Sequence, residues 1–470
     1  MGMGACRSNR PRDDRQYRGL GWPPRGLGHS DVRGAAIPHH GRMSSDLLAP
    51  VEAEVPAAPF DDVATERATG PLARNRDFRA FVIAEGISSV GDAVSFTALP
   101  LLVLALTGSG FAMGIVGALQ SLPDLVFGLV AGAIADRSNQ KRMMVLSDLG
   151  RAALTALIPL SVVLHGPTMA VILIVAAPMS TLRSLFLAAY TAAVPAIAGR
   201  ARLAQANSYF EVVYSTGFII GPAIAGLLAT AIGPGMTLAI DAASFVFAAI
   251  GIALIRRPLQ APGNRPETHL VAEIREGVAF IVRTPVLRSS ILFWSLTSVV
   301  SAGLVTALTV RITRDLALPA SALGLVLATF GMGTVVGALW ASRIRRGRAW
   351  PQILGGNLVR GGALLVEGLV ASIEVMAALA FVTGIASSLI LIAYLTVRSA
   401  YAPDELLGRV GSTARTLSLG MQPVGMLATG ALIDLTSGST TLVAIGLLLT
   451  AASVLFAPSR GLRAASLEGP

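Results

Sequence analysis

Glu85, Ser88, Ser89 and Asp92 fall at i, i+3, i+4 and i+7 of an otherwise apolar stretch, so a helix places all four on one face. A carboxylate inside a bilayer costs about 3 kcal/mol or more, and it therefore faces a cavity or a partner. Held out of bulk water, such a carboxyl can load and release a proton near neutral pH. Asp92 is the first candidate for a proton-coupling group and Glu85 the second. The competing role is a structural carboxyl that hydrogen-bonds neighbouring helices. Gln120 and Asp124 stand one turn apart beside Pro123. They suit a cavity wall, with Asp124 as a further proton carrier, or the cap of a proline-loosened turn. Arg183 lies among Ser180 and Ser184, and a membrane-embedded arginine needs a partner: one of these carboxylates or an anionic substrate.

Other polar residues take blander roles. Arg415 shares a stripe with Ser412, Ser418 and Gln422, and it stands close enough to its segment's start to snorkel to the surface. Gln422 joins Ser89, Gln120 and Arg183 as a candidate for the substrate cavity. Glu211, on a stripe with Asn207 and Ser215, is placed to pair with a surface arginine. Asp148 and Arg151, three residues apart, form a local ion pair.

Several chemistries are missing. The chain has no GxxxxGK[ST] phosphate loop and no HExxH or Ser-His-Asp arrangement, and His29, His39, His40, His165 and His269 all lie in the tail or between apolar runs. ATP hydrolysis is not expected, and the chain does not read as an enzyme. Its one cysteine, Cys6, excludes an internal disulfide or a cysteine-built metal site. No cofactor or metal is expected; the proton motive force would supply the energy.

The elements that position these residues are membrane spans. Only 14% of residues are charged and 53% are hydrophobic, against about 25% charged in soluble domains, too little to cover a water-facing surface. Apolar runs long enough to cross a bilayer recur at 79–106, 110–135, 142–164, 168–194, 204–232, 235–255, 286–311, 320–342, 350–370, 373–397, 409–434 and 439–458. This predicts an all-α integral membrane protein with twelve transmembrane helices. Residues 1–75 read as a disordered tail rich in Arg, Pro and Gly, without the apolar core of a signal peptide. Met43 is a candidate alternative start. The segment 257–285 reads as a linker carrying an amphipathic surface helix with Ile274, Val278 and Ile281 on one face. Residues 460–470 form a C-terminal tail.

Arginine sets the orientation. The gaps after spans 2, 4, 6, 8 and 10 hold Arg137/Lys141/Arg142, Arg200/Arg202, Arg256/Arg257, Arg343/Arg345/Arg346/Arg348 and Arg398/Arg409. The opposite gaps hold none, except for Arg311 and Arg314 after span 7. Both termini are therefore expected in the cytoplasm, in a bacterial inner membrane. The net charge of +10 follows the same gaps and the tail, and it does not point to nucleic acid.

The halves repeat weakly. Asp148-Leu-Gly-Arg151 in span 3 echoes Asn357-Leu-Val-Arg360 in span 9, and arginine-rich gaps follow spans 2 and 8. Gly132-x-x-Ala135-Asp136-Arg137, closed by Lys141-Arg142, resembles the loop motif between spans 2 and 3 of the major facilitator superfamily. Gly217-Phe-Ile-Ile-Gly221-Pro222-x-x-x-Gly226 resembles that superfamily's antiporter motif in span 5. Ser88-x-x-Gly91-Asp92, Ser147-Asp-Leu-x-Arg151-Ala, Asp241-x-x-Ser244-Phe and Pro403-Asp-Glu-Leu-x-Gly408-Arg409-Val are similar to its enterobactin-exporter and macrolide-efflux branch. The resemblance implies the major facilitator fold: two pseudo-symmetric six-helix bundles, 76–256 and 286–459, around a cavity that opens to either side in turn. It gives Gly132, Asp136, Arg137, Lys141 and Arg142 the role of a conformational latch, with Asp136 meeting the positive N-terminal end of span 11. Gly217, Gly221, Pro222 and Gly226, with Gly333 and Gly337 in span 8, are spaced for close helix approach.

The expected function is proton-coupled export of a small amphipathic molecule, a drug or a siderophore, by a monomer that needs only protons, substrate and lipid bilayer. A dedicated siderophore or metabolite exporter is the sharper alternative. A non-transporting membrane receptor or chaperone with the same fold is the alternative of another class.

Overall fold

The computed structural model describes residues 72–469 apart from 165, 167, 200, 201, 260–269, 345, 404 and 405, and excludes the side chains of 124–130, 132, 133, 136, 137 and 270–274. The expected N-terminal tail thus lies outside the described residues, save for its last few. Each apolar run forms a helix. The first six are α1 (Arg76–Thr107), α2 (Gly110–Arg137), α3 (Gln140–Leu164), α4 (Met169–Ala198), α5 (Leu203–Ile232) and α6 (Pro234–Ala253). The second six are α7 (Pro285–Asp315), α8 (Ala320–Ala341), α9 (Gly356–Leu369, entered through a π-helical turn Pro351–Gly355), α10 (Ile373–Tyr401), α11 (Leu407–Leu435) and α12 (Gly438–Phe456). Among the described residues, ten of these helices are long and apolar enough to cross a membrane.

Local chemistry sets the helix ends. Asn75 Oδ1 accepts the amides of Asp77 (3.0 Å) and Phe78 (3.3 Å) to start α1. Ser109 starts α2 through Ala112 N (3.1 Å), and Ser437 starts α12 through Thr440 N (3.1 Å). Each hydroxyl or amide oxygen satisfies a backbone donor that the helix leaves free. Gly108 ends α1 at φ 64, a left-handed conformation that favours glycine.

In the first six helices α1 packs on α5 and α6, α3 on α4 and α6, and α2 on α4; in the last six α10 packs on α8 and α9, and α9 on α12. Among the described residues two pairs make most of the contact between the halves: α5 with α8, and α2 with α11. At the end bearing the α1–α2 and α11–α12 gaps, one apolar core runs through both halves, from Leu102, Val116 and Ile172 to Leu308, Leu323 and Ile433. At the other end the buried clusters separate. Phe78, Phe81, Met144 and Ile252 close the first half; Phe293, Ile353 and Val397 close part of the second. The halves are thus joined at one end and parted at the other.

Two helices are broken. α7 breaks at Ala302–Gly303 and α11 at Met421. The two helices pack closely between the breaks: a Cβ on Gly303 would meet Thr429 at 2.4 Å, and one on Gly425 would meet Val299 O at 2.1 Å. The linker helix runs Leu270–Arg283, and the side chain of Ile274 lies outside the described residues. It presses Gly277 and Ile281 against α11 and leaves Val278 exposed. Glycine decides this, because at Gly277 the backbone comes within van der Waals reach of Arg409 O.

Candidate functional site

The polar residues of α1 meet those of α3 and α6 inside the first half. Gly91 makes this possible, since a Cβ there would sit 2.0 Å from Ser244 Oγ and 2.7 Å from Asp241 Oδ1. Without that atom α6 presses its Asp241–Ser244 turn onto the backbone of α1. Arg151 of α3 is buried to 2% exposure at the centre. Its guanidinium is hydrogen-bonded to Asp148 and lies 3.7 Å from Asp92. It also stacks over Phe245 (4.1 Å) and Phe186 (4.8 Å). Such cation–π contacts contribute about 1–2 kcal/mol each when desolvated. Ser95 and Ser244 donate hydrogen bonds to the Asp241 carboxylate.

Glu85 lies within electrostatic reach of Asp148, Arg151 and Asp92, and its buried Oε1 has no hydrogen-bond partner among the described residues. Four carboxyls therefore surround one guanidinium. Fully ionised, Glu85, Asp92, Asp148 and Asp241 against Arg151 sum to 1 − 4 = −3. The Asp92 side chain is the member that opens outward, at 38% exposure. Beside it, Tyr214 of α5 lies within electrostatic reach of Arg183, Asp92 and Glu211, so α1, α4 and α5 share one polar wall. Arg183 is exposed on that wall.

Other sequence candidates lie elsewhere. Ser89 is buried against α5, bonded to Gly86 O (3.0 Å) and packed on Gly217. The Gln120 carbonyl accepts from the Ser180 hydroxyl, which ties α2 to α4. Gln422 opens the second segment of α11, just past its break. The side chain of Asp124 and those of Gly132, Asp136 and Arg137 lie outside the described residues, although Asp136 is the penultimate residue of α2. Lys141 Nζ donates to Ile255 O (2.6 Å), pinning the start of α3 to the end of α6; Arg142 is exposed. Gly217 and Gly221 pack on α1, and Gly333 and Gly337 on α10. Only Gly226 of the spaced set reaches across the halves, meeting Ala320 and Gly324 of α8, while the Pro222 carbonyl meets Gly324.

Two acidic residues carry more than their sequence context suggests. Asp241 belongs to the carboxyl cluster, and an aspartate in mid-span followed by Ser244 was the available signal. Glu367 of α9 is 1% exposed with Oε1 unpartnered among the described residues. Nothing in its spacing marks it.

The profile of a family described as transmembrane secretion effector matches residues 67–466. The multidrug efflux pump Tap of Mycolicibacterium fortuitum is 30% identical over 375 residues, which cover 77% of this chain and 90% of that protein. The enterobactin exporter EntS of Escherichia coli is 25% identical over 340 residues, covering 71% and 79%. Among solved structures, an inward-facing, unoccupied bacterial homologue of the human lysosomal transporter Spinster superposes with a TM-score of 0.67 at 16% identity, covering 83% of this chain and 98% of its own.

Proposed function

The chain belongs to the transmembrane secretion effector family of the major facilitator superfamily, and from that premise we propose that it is a proton-coupled exporter of small amphipathic molecules, working by alternating access in the cytoplasmic membrane. The observation that carries this reading is the surplus of carboxyls around Arg151. A formal −3 inside a bilayer is costly, and bound protons relieve it. Asp92 is the exposed member, the one that protons and substrate can both reach. Loading it frees Arg151 from one partner; unloading restores the pair. Such exchange couples proton flow to movement when substrate and proton favour different states.

The parted end of the molecule is the end that carries the arginine-rich gaps, which supports an inward-open state under the positive-inside rule. Asp136 and the basic residues beside it would close that end by docking on the start of α11. The exposed Arg183 on the same wall as Asp92 favours a substrate with an anionic group, the siderophore-like variant of the reading.

Proton release measured with a pH-sensitive dye in weakly buffered detergent solution tests the coupling. Substrate added to the wild-type protein releases protons, and Asp92→Asn suppresses the release while binding persists. Equal release from both proteins rules out Asp92 as the coupling group.

A further inference from the structure

Asp434 is the penultimate residue of α11, at the joined end of the molecule. Its carboxylate reaches across to the other half and caps α2. Oδ1 accepts Gly110 N (2.6 Å), and Oδ2 accepts Phe111 N (3.0 Å) and Ser109 Oγ (2.6 Å). The backbones touch beneath it: a Cβ on Gly430 would lie 2.4 Å from Gly110 O, and one on Gly114 would lie 2.6 Å from Met426 O. Arg314 NH1 adds a longer bond to Gly108 O (3.4 Å) from the same half as Asp434.

The helix dipoles give this contact a direction. A carboxylate at the C-terminus of its own helix faces partial negative charge, whereas the N-terminus of a neighbouring helix offers free amides and partial positive charge. Asp434 is thus poorly placed on α11 alone and well placed when α11 docks on α2. The two helices run antiparallel, so at the parted end the roles of the two helix ends are reversed. There Asp136 is the penultimate residue of α2, and the start of α11 is the N-terminus opposite.

We propose that Asp434 is an outer latch, the counterpart of Asp136, and that the α2–α11 pair is a two-position switch in which one aspartate docks at a time. The proposal rests on the alternating-access reading above. Docking of Asp434 closes the outer end; its release is required for the inner end to close on Asp136. Gly110 and Gly430 allow the backbones to approach closely enough for two amides to share one carboxylate.

Double electron–electron resonance across the joined end tests this. Spin labels go on Thr168→Cys and Ala371→Cys, both exposed outer-end positions, in a Cys6→Ser background in lipid nanodiscs. The wild type gives a dominant short distance and a minor long one. Asp434→Asn raises the ratio of long to short by about tenfold, in keeping with the loss of charge-assisted hydrogen bonds. Asp136→Asn moves the ratio the other way. Ser109→Ala gives a smaller shift in the sense of Asp434→Asn, and it carries the test if Asp434→Asn does not fold. A wild type that changes distance with pH, together with variants whose ratios match it, overturns the latch and leaves alternating access standing. A wild type fixed at one distance at acid and neutral pH overturns alternating access and the switch with it.

Discussion

Arg151 has more carboxylate around it than one cation can neutralise. Removing the guanidinium leaves the buried Asp148, Asp241 and Glu85 carboxyls without it. Loss of one partner from a buried ion pair costs about 3–5 kcal/mol, so Arg151→Met should lower the melting temperature sharply in detergent, and fluorescence-detected size exclusion would read the change. Gly91 is equally exacting. Gly91→Val adds atoms where Ser244 and Asp241 already stand, so it should separate α1 from α6 and reduce the folded yield, whereas Gly362→Ala, a position with nothing within 4 Å, should leave the yield unchanged. Helical period alone brings out Glu85 and Asp92, because both share the face of one apolar run. It places Asp148 and Arg151 as a pair three residues apart. It does not bring in Asp241, because spacing within one helix cannot tell which distant helix will lie against it. That information resides in Gly91, whose missing side chain becomes meaningful only when α6 is in place.

At the scale of elements, the glycines separate into two groups. Gly217, Gly221, Gly333 and Gly337 bind helices within a half; Gly226, Gly324, Gly110 and Gly430 bind one half to the other. Sequence spacing marks the first group and Gly226 for close packing and cannot assign partners; it does not mark Gly324, Gly110 or Gly430. The inter-half contacts must break for the joined end to open, whereas the others can persist. Gly226→Leu drives a bulky group into Ala320 and Gly324, so it should abolish transport while leaving the protein expressed and monodisperse, as a transport assay paired with gel filtration would register. The boundaries of α1 to α12 follow the apolar runs to within a few residues, since bilayer thickness fixes helix length. The break at Gly303 was not legible, because it lies inside an apolar run, whereas the one at Met421 had a signal in the Gly420, Gln422 and Pro423 that flank it.

At the scale of the whole molecule, the distribution of arginine and the placement of the core agree. The gaps rich in arginine lie where the halves part, and the nearly arginine-free gaps lie where one apolar core crosses both halves. A fluorescent protein fused after Pro470 should therefore fluoresce from the cytoplasmic side, and a periplasmic alkaline phosphatase fused there should stay inactive. The superfamily resemblance was legible from Gly132–Arg142 and the span-5 glycines, whereas the substrate was not, because transport cavities are assembled from residues of many helices. In the mechanism we propose, proton flow through the Asp92–Arg151 cluster drives export. The direct measurement is uptake of a fluorescent amphipathic drug or a catechol siderophore into inside-out proteoliposomes under an imposed pH gradient, acid inside. Wild-type protein should accumulate substrate only while the gradient lasts, and Asp92→Asn should fall to the level of protein-free vesicles. Accumulation by Asp92→Asn equal to wild type, or wild-type accumulation indifferent to collapse of the gradient, would contradict the account.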